Sequence, residues 1–271
     1  MSARAQRHTG SVTSRFAAAA ATYERCARIQ RAVATRVAAL AAGAAGTVNG
    51  VDSILDAGCG TGLLTRRLRR RFPRAHITAI DLAAPMLQRA RLATPGDPRI
   101  KWKVADAATF AARQRYPIIA SSSALHWMVP IHAAIGNLAK LLAPGGILVA
   151  AVMLKGTLRE LHTIRLRVAP DKAPRRPLPS RAEVERALRK AHLRTVAIRE
   201  EAKTIRYPSA LKLLRLLHEQ GLTGGDVSRG VRPLTRGELN EVVSEYERRY
   251  RDPRGGVRAT YRVLYFTCRG T

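Results

Sequence analysis

The sequence has 271 residues, enough for one large domain or for one domain carrying a substantial insertion. Apolar residues make up 46%, so a core can form, but aromatics are only 5% and Leu, Val, Ile and Ala must fill it; the longest apolar run, 147–154, is far short of the roughly 20 residues of a membrane helix. The net charge of +29 comes mainly from arginine and is spread along the whole chain, which excludes a neutral core followed by one basic tail.

Residues 1–23 hold Arg, Ser, Thr and Ala with no acid and no apolar stretch of the secretory kind. We expect a disordered tail over 1–10 and a single domain over 11–271. From Phe16 through Ala20, Tyr23, Ala27, Val33, Val37 and Leu40 the apolar spacing is helical, predicting one or two helices within 11–50. Gly43 to Gly50 is a small-residue linker. Strands then alternate with helices over 51–154. Ser53–Asp56 is a strand, Gly58–Gly62 a turn, and Leu63–Phe72 a basic amphipathic helix stopped by Pro73. His76–Ile80 is a strand ending at Asp81, and Pro85 opens a helix to Leu92. Further strands are read at Ile100–Val104, Pro117–Ser121 and Ile147–Met153. Ile131–Leu142 is a helix, followed by a turn at Pro144-Gly145-Gly146. This alternation predicts an α/β fold, a mostly parallel sheet with helices on both faces.

Beyond Leu154 the alternation breaks. Helices are expected at Thr157–Val168, Leu211–Gln220 and after two capping boxes, Ser180 with Glu183 and Thr235 with Glu238. Arg194–Tyr207 and Arg258–Cys268 read as strands, so 180–206 and 258–271 complete the sheet. Segments 155–179 and 207–257 then form an inserted helical lid, and 11–50 a helical cover.

The chemistry concentrates at strand ends. Asp56-Ala57-Gly58-Cys59-Gly60-Thr61-Gly62 follows a strand and opens a helix, where glycines let the backbone turn tightly and approach a ligand. Such a loop alone is a weak signal, because dinucleotide enzymes use a similar one. Asp81 ends the next strand, where it can accept two ribose hydroxyls. Asp106, with Ala107, ends the third, within reach of an adenine amino group. Three acids at three successive strand ends lie where open α/β sheets bind ligands. Carboxylates there suit a sulfonium and an amino group better than a pyrophosphate.

This pattern resembles the class I S-adenosylmethionine-dependent methyltransferases. The resemblance implies a Rossmann-like fold with a seven-stranded sheet, Asp56, Gly58, Gly60 and Gly62 along the methionine part of S-adenosyl-L-methionine, Asp81 and Asp106 on its ribose and adenine, and Leu82, Ala107 and Ser122 as further cofactor contacts. It extends further. Phe16-x-x-x-Ala20-x-x-Tyr23-Glu24, Ser121-Ser122-Ser123-Ala124-Leu125-His126-Trp127, Gly156-Thr157-Leu158-Arg159-Glu160-Leu161 and Thr260-Tyr261-x-Val263-x-Tyr265 are similar to the malonyl-carrier-protein O-methyltransferases of biotin synthesis. The family often has Asp at the place of Glu24 and Gln at that of His126. The implied reaction is methylation of the free carboxylate of a malonyl thioester on acyl carrier protein. Tyr23, His126, Trp127 and Arg159 are the candidates for acceptor contacts. A carboxylate is already ionised at neutral pH, so donors are needed more than bases.

Two alternatives stay open: a carboxyl or other small-molecule methyltransferase of the same fold, and a basic protein that binds or modifies nucleic acid. The charge could be compositional bias, a surface that steers an acidic partner, or a nucleic-acid footprint. No zinc-finger spacing or aromatic-rich RNA-binding pattern supports the last. Arg159, Lys172, Arg175, Arg176 and Arg181 crowd together as a candidate carrier-docking rim. Cys26, Cys59 and Cys268 are too few and too far apart for a disulfide framework, and the histidines do not cluster. We therefore expect a cytoplasmic protein with reduced thiols, no metal and no membrane partner.

Overall fold

The fold was obtained as a computed structural model that describes residues 3–48, 50–172, 177–222 and 233–270, with 3–9 described as backbone. Seven strands form one sheet in the order β3-β2-β1-β4-β5-β7-β6. They are β1 (Ser53–Ala57), β2 (His76–Asp81), β3 (Ile100–Val104), β4 (Tyr116–Ser122), β5 (Leu142–Met153), β6 (Arg194–Tyr207) and β7 (Val257–Arg269). The pairs from β3 through β5 are parallel; β7 runs antiparallel between β5 and β6. The chain starts at β1, builds outward to β3, then crosses back to β4 on the other side of β1. That reversal opens a crevice at the strand C-termini.

Alternating side chains divide the core. Ile54, Ile118, Val149 and Val263 face one layer, while Leu55, Ile119, Leu148 and Leu264 face the other. The first layer is covered by α3 (Arg28–Ala44), α4 (Leu63–Arg71), α7 (Arg159–Val168), α9 (Ala210–Glu219) and α10 (Arg236–Arg249); the second by α6 (Ile131–Lys140) and α8 (Arg181–Lys190). Both capping boxes form, Ser180 with Glu183 at α8 and Thr235 with Glu238 at α10. Pro144-Gly145-Gly146 is an excursion within β5, where the pairing with β4 shifts register.

The N-terminal cover is made of α1 (Ala3–Ala19) and α2 (Tyr23–Cys26), ahead of α3; α5 (Ala84–Leu92) lies beneath α1. The first helix starts at Ala3, so the tail expected over 1–10 is already helical in its described part. The cover is tied to the lid. Thr22 Oγ1 donates to the Glu219 carbonyl at 2.7 Å, Gln30 Nε2 to Gln220 Oε1 at 3.1 Å, and Gln220 Nε2 to the Cys26 carbonyl at 2.6 Å. Gln30 and Gln220 are buried, so these are bonds whose loss strands polar groups away from water. Among the described residues no helix is long and apolar enough to cross a membrane.

Candidate active site

The loop after β1 is shaped by what a side chain would strike. Gly58 has φ +74°, and a Cβ there would lie 2.3 Å from the Ala124 Cβ, so only glycine fits. The amides of Gly58 and Cys59 both donate to the Ile80 carbonyl, at 2.9 and 3.0 Å, which fastens the loop to the end of β2. Asp81 finishes the fastening: Oδ2 accepts from the Gly60 amide at 2.8 Å and Oδ1 from the Ala83 amide at 2.9 Å. Burial raises the Asp81 pKa and these amides oppose the rise. After β3, Asp106 Oδ1 accepts from the Ala108 amide at 2.8 Å.

These strand ends enclose a cleft of about 270 Å³ whose walls include Gly58, Gly60, Asp81, Leu82, Asp106, Ala107 and Ser122. Asp56 and Gly62 were expected on the same wall and are not there. Asp56 is fully buried beneath the loop, its Oδ2 accepting from Thr65 Oγ1 at 2.6 Å. Burial outweighs that bond and lifts its pKa to about 7. Gly62 instead opens α4 at φ +81° with Trp102 and Ala90 against it. Both residues support the loop from below. Two hydroxyls in the cleft, Thr61 Oγ1 and Ser123 Oγ, are buried without a hydrogen-bond partner. Buried orphans of this kind fit a wall completed by a polar ligand.

A second cavity of about 740 Å³ lies against the cleft. Phe16, Tyr23, Gln30, Ser123 and Trp127 line both, so they form the wall where the two meet. Phe16 and Trp127 meet edge to face at 5.5 Å. The Tyr23 pKa is raised by burial first, then by Asp81 and Glu24, so its hydroxyl stays protonated. His126, 7% exposed, lines the second cavity and not the cleft. Its Nδ1 accepts from the Met153 amide at 3.4 Å, which leaves the proton on Nε2. Burial pushes the His126 pKa down to about 3, so the ring is neutral and a donor across physiological pH.

Arg159 is not part of this site. Its side chain is 70% exposed, 3.8 Å from the Glu160 carboxylate, and lines neither cavity. Arg165 is there instead, 9% exposed on the cavity face of α7 with Leu158, Leu161 and His162. Residues 158, 161, 162 and 165 fall on one face by helical spacing, and the packing of that face turns Arg165 inward. Ser123 was also missed as a site residue. It holds φ +55°, a left-handed conformation rare for a non-glycine residue, and no sequence pattern announces it. The expected basic rim is partly neutralised: Lys172 is bound by Glu238 at 2.7 Å and Arg181 by Glu185 at 2.7 Å. Arg175 and Arg176 lie outside the described residues.

Fold and cleft together define a Rossmann-like methyltransferase, and residues 54–146 match the family described as "Methyltransferase domain". The 1,6-didemethyltoxoflavin-N1-methyltransferase of Burkholderia thailandensis, solved with S-adenosylhomocysteine, shares the fold at a TM-score of 0.58 and 16% identity, covering 100% of this chain and 92% of that one. Sequence relatives are closer. The chain is 31% identical over 257 residues to the malonyl-[acyl-carrier protein] O-methyltransferase of Hahella chejuensis, covering 93% of this chain and 87% of that protein. It is 30% identical over 213 residues to the enzyme of the same name from Halorhodospira halophila, covering 78% and 72%. The chain belongs to the malonyl-[acyl-carrier protein] O-methyltransferase family.

Proposed function

We propose that the protein transfers the methyl group of S-adenosyl-L-methionine to the free carboxylate of malonyl-acyl carrier protein, the ester-forming step that starts pimeloyl synthesis for biotin. The observation that carries this reading is the shared wall of the two cavities, where Tyr23, Gln30, Ser123 and Trp127 supply donors and apolar surface but no acid or ionisable base. The cofactor supplies an electrophilic methyl on a sulfonium. Asp81 and Asp106 would hold its nucleoside, with Thr61 and Ser123 offering the hydroxyls that now lack partners. An acceptor carboxylate with a pKa near about 4 arrives already ionised, so no residue needs to remove a proton. What the chain must do is offset the cost of taking that anion out of water and hold its oxygen in line, at roughly 3–3.5 Å from the methyl. Tyr23 O–H and His126 Nε2–H are neutral donors suited to this task, and Trp127 with Phe16 excludes water. The buried Arg165 supplies positive charge deeper in the acceptor cavity.

The test is methyl transfer from labelled cofactor to malonyl-carrier-protein, malonyl-CoA and free malonate in parallel. The carrier substrate should be methylated with the highest kcat/KM. Equal use of free malonate would favour a small-acceptor enzyme, and no transfer to any of the three would overturn the reading.

A further inference from the structure

The acceptor cavity has 25 described lining residues, and the exposed ones come from a single place. Leu211, Arg215, His218, Pro233 and Leu239 are exposed; every other described lining residue is at least half-buried. All five lie on α9, on α10 or just ahead of α10. Among the described residues, the exposed rim of the cavity therefore lies on these two helices. Leu211 and Leu239, 40% and 38% exposed, set two large apolar side chains at the rim. Around them Lys212, Arg215 and Arg236 are exposed and, among the described residues, make no ion pair. Of the flanking acids, Glu238 is held by Lys172, and Glu219 accepts from Cys26 Sγ and lies near Lys212. The rim is apolar and flanked by exposed cations.

Resting on the acceptor assigned above, we propose that the carrier protein docks on this face of α9 and α10, and that its thioester arm enters between the two helices. Carrier proteins of this kind are acidic, and an acidic protein that must deliver a tethered group matches both features. The cations steer and orient it, and the leucines give the contact a dry centre. The rim expected around Arg159, Lys172 and Arg181 fits less well, because acids already partner those cations and none of the three lines the cavity. A second basic groove, with Arg186 and Lys190 on α8, shares only His126 with the described lining of the acceptor cavity.

The experiment separates docking from chemistry. Docking is read as the affinity of fluorescently labelled holo-carrier protein for the full chain. Chemistry is read as methyl transfer to malonyl-pantetheine, which has no protein part. The doubly reversed variant Lys212→Glu with Arg236→Glu changes two exposed residues that flank the cavity without lining it. It should weaken carrier binding by about tenfold or more at low salt, with kcat/KM for malonyl-pantetheine within about twofold of wild type. The reversal Arg186→Glu with Lys190→Glu should leave carrier binding unchanged. Undiminished binding in the first variant, or loss only in the second, overturns this docking face. If the wild type binds the carrier but methylates no malonyl thioester, the acceptor reading fails, and the binding result still decides the docking.

Discussion

The cofactor cleft and the acceptor cavity touch along one wall but are built in different ways. Most of the cleft comes from short runs that follow four successive strands: 58–64, 81–86, 105–109 and 122–133. Its decisive contacts are backbone contacts, such as the amides that grip Asp81 and the Cβ that Gly58 cannot carry. The acceptor cavity gathers side chains from Phe16 to Tyr261, drawn from the cover, the sheet and three lid helices. A site made of backbone at strand ends tolerates little change, because moving one element misplaces every amide it carries. A site made of side chains on separate helices can be retuned one residue at a time.

That contrast is sharpest at Gly58. Gly58→Ala places a Cβ against Ala124 and demands a left-handed alanine, each costing about 1–3 kcal/mol. Melting should fall sharply and cofactor affinity should drop by more than about a hundredfold. Wild-type calorimetric affinity and melting in this variant would mean that the loop is not held as described.

Asp81→Ala should cost somewhat less. It removes a charged acceptor from two loop amides and, on the proposed reading, from the ribose, worth about 1.5–3 kcal/mol, hence roughly tenfold to a hundredfold in cofactor affinity. Titration calorimetry on the folded variant decides it, and an unchanged affinity would remove Asp81 from the site.

On the acceptor side the losses should be smaller and of another kind. Tyr23→Phe and His126→Ala should each lower kcat/KM for malonyl-carrier-protein by about tenfold while cofactor affinity stays near wild type. His126→Gln keeps a donor and should recover most of the loss. If cofactor affinity falls in step with turnover, these residues belong to the cover over the cofactor rather than to the acceptor site.

The effects of pH carry opposite signs in the two regions. His126 is held neutral by burial, with its pKa at about 3 against an ordinary 6.5. The unfolded chain takes up the proton first, so this site's contribution is intact above about pH 6.5 and is lost as pH falls toward 3. Asp56 has its pKa lifted to about 7 against an ordinary 3.8, so its contribution is intact below about pH 4 and is lost as pH rises through 7. Melting curves of the cofactor-free protein should show Asp56→Asn gaining on wild type from pH 4 to 7, and His126→Gln gaining on it from pH 6 to 4. Parallel pH profiles in both variants would show that neither group titrates this way. Turnover itself should show no histidine-like inflection near pH 6.5, because His126 stays neutral and the acceptor carboxylate is already charged.

Much of the molecule was legible in the sequence. Period-two and period-3.6 patterns mark the strands and helices, two capping boxes mark the starts of α8 and α10, and Asp81 and Asp106 follow from their places at strand ends. Those features are local: each is decided by the steric and hydrogen-bonding preferences of a few consecutive residues. The choice of Arg165 over Arg159, the sinking of Asp56 beneath its own loop, the left-handed Ser123 and the cavity rim on α9 and α10 are of another kind. Arg159 and Arg165 sit on one helix with the same chemistry, and only the packing of α7 against its neighbours buries one and leaves the other in water. Likewise the exposed rim of the cavity combines residues of α9 and α10, a juxtaposition set by long-range packing that no local pattern of residues encodes.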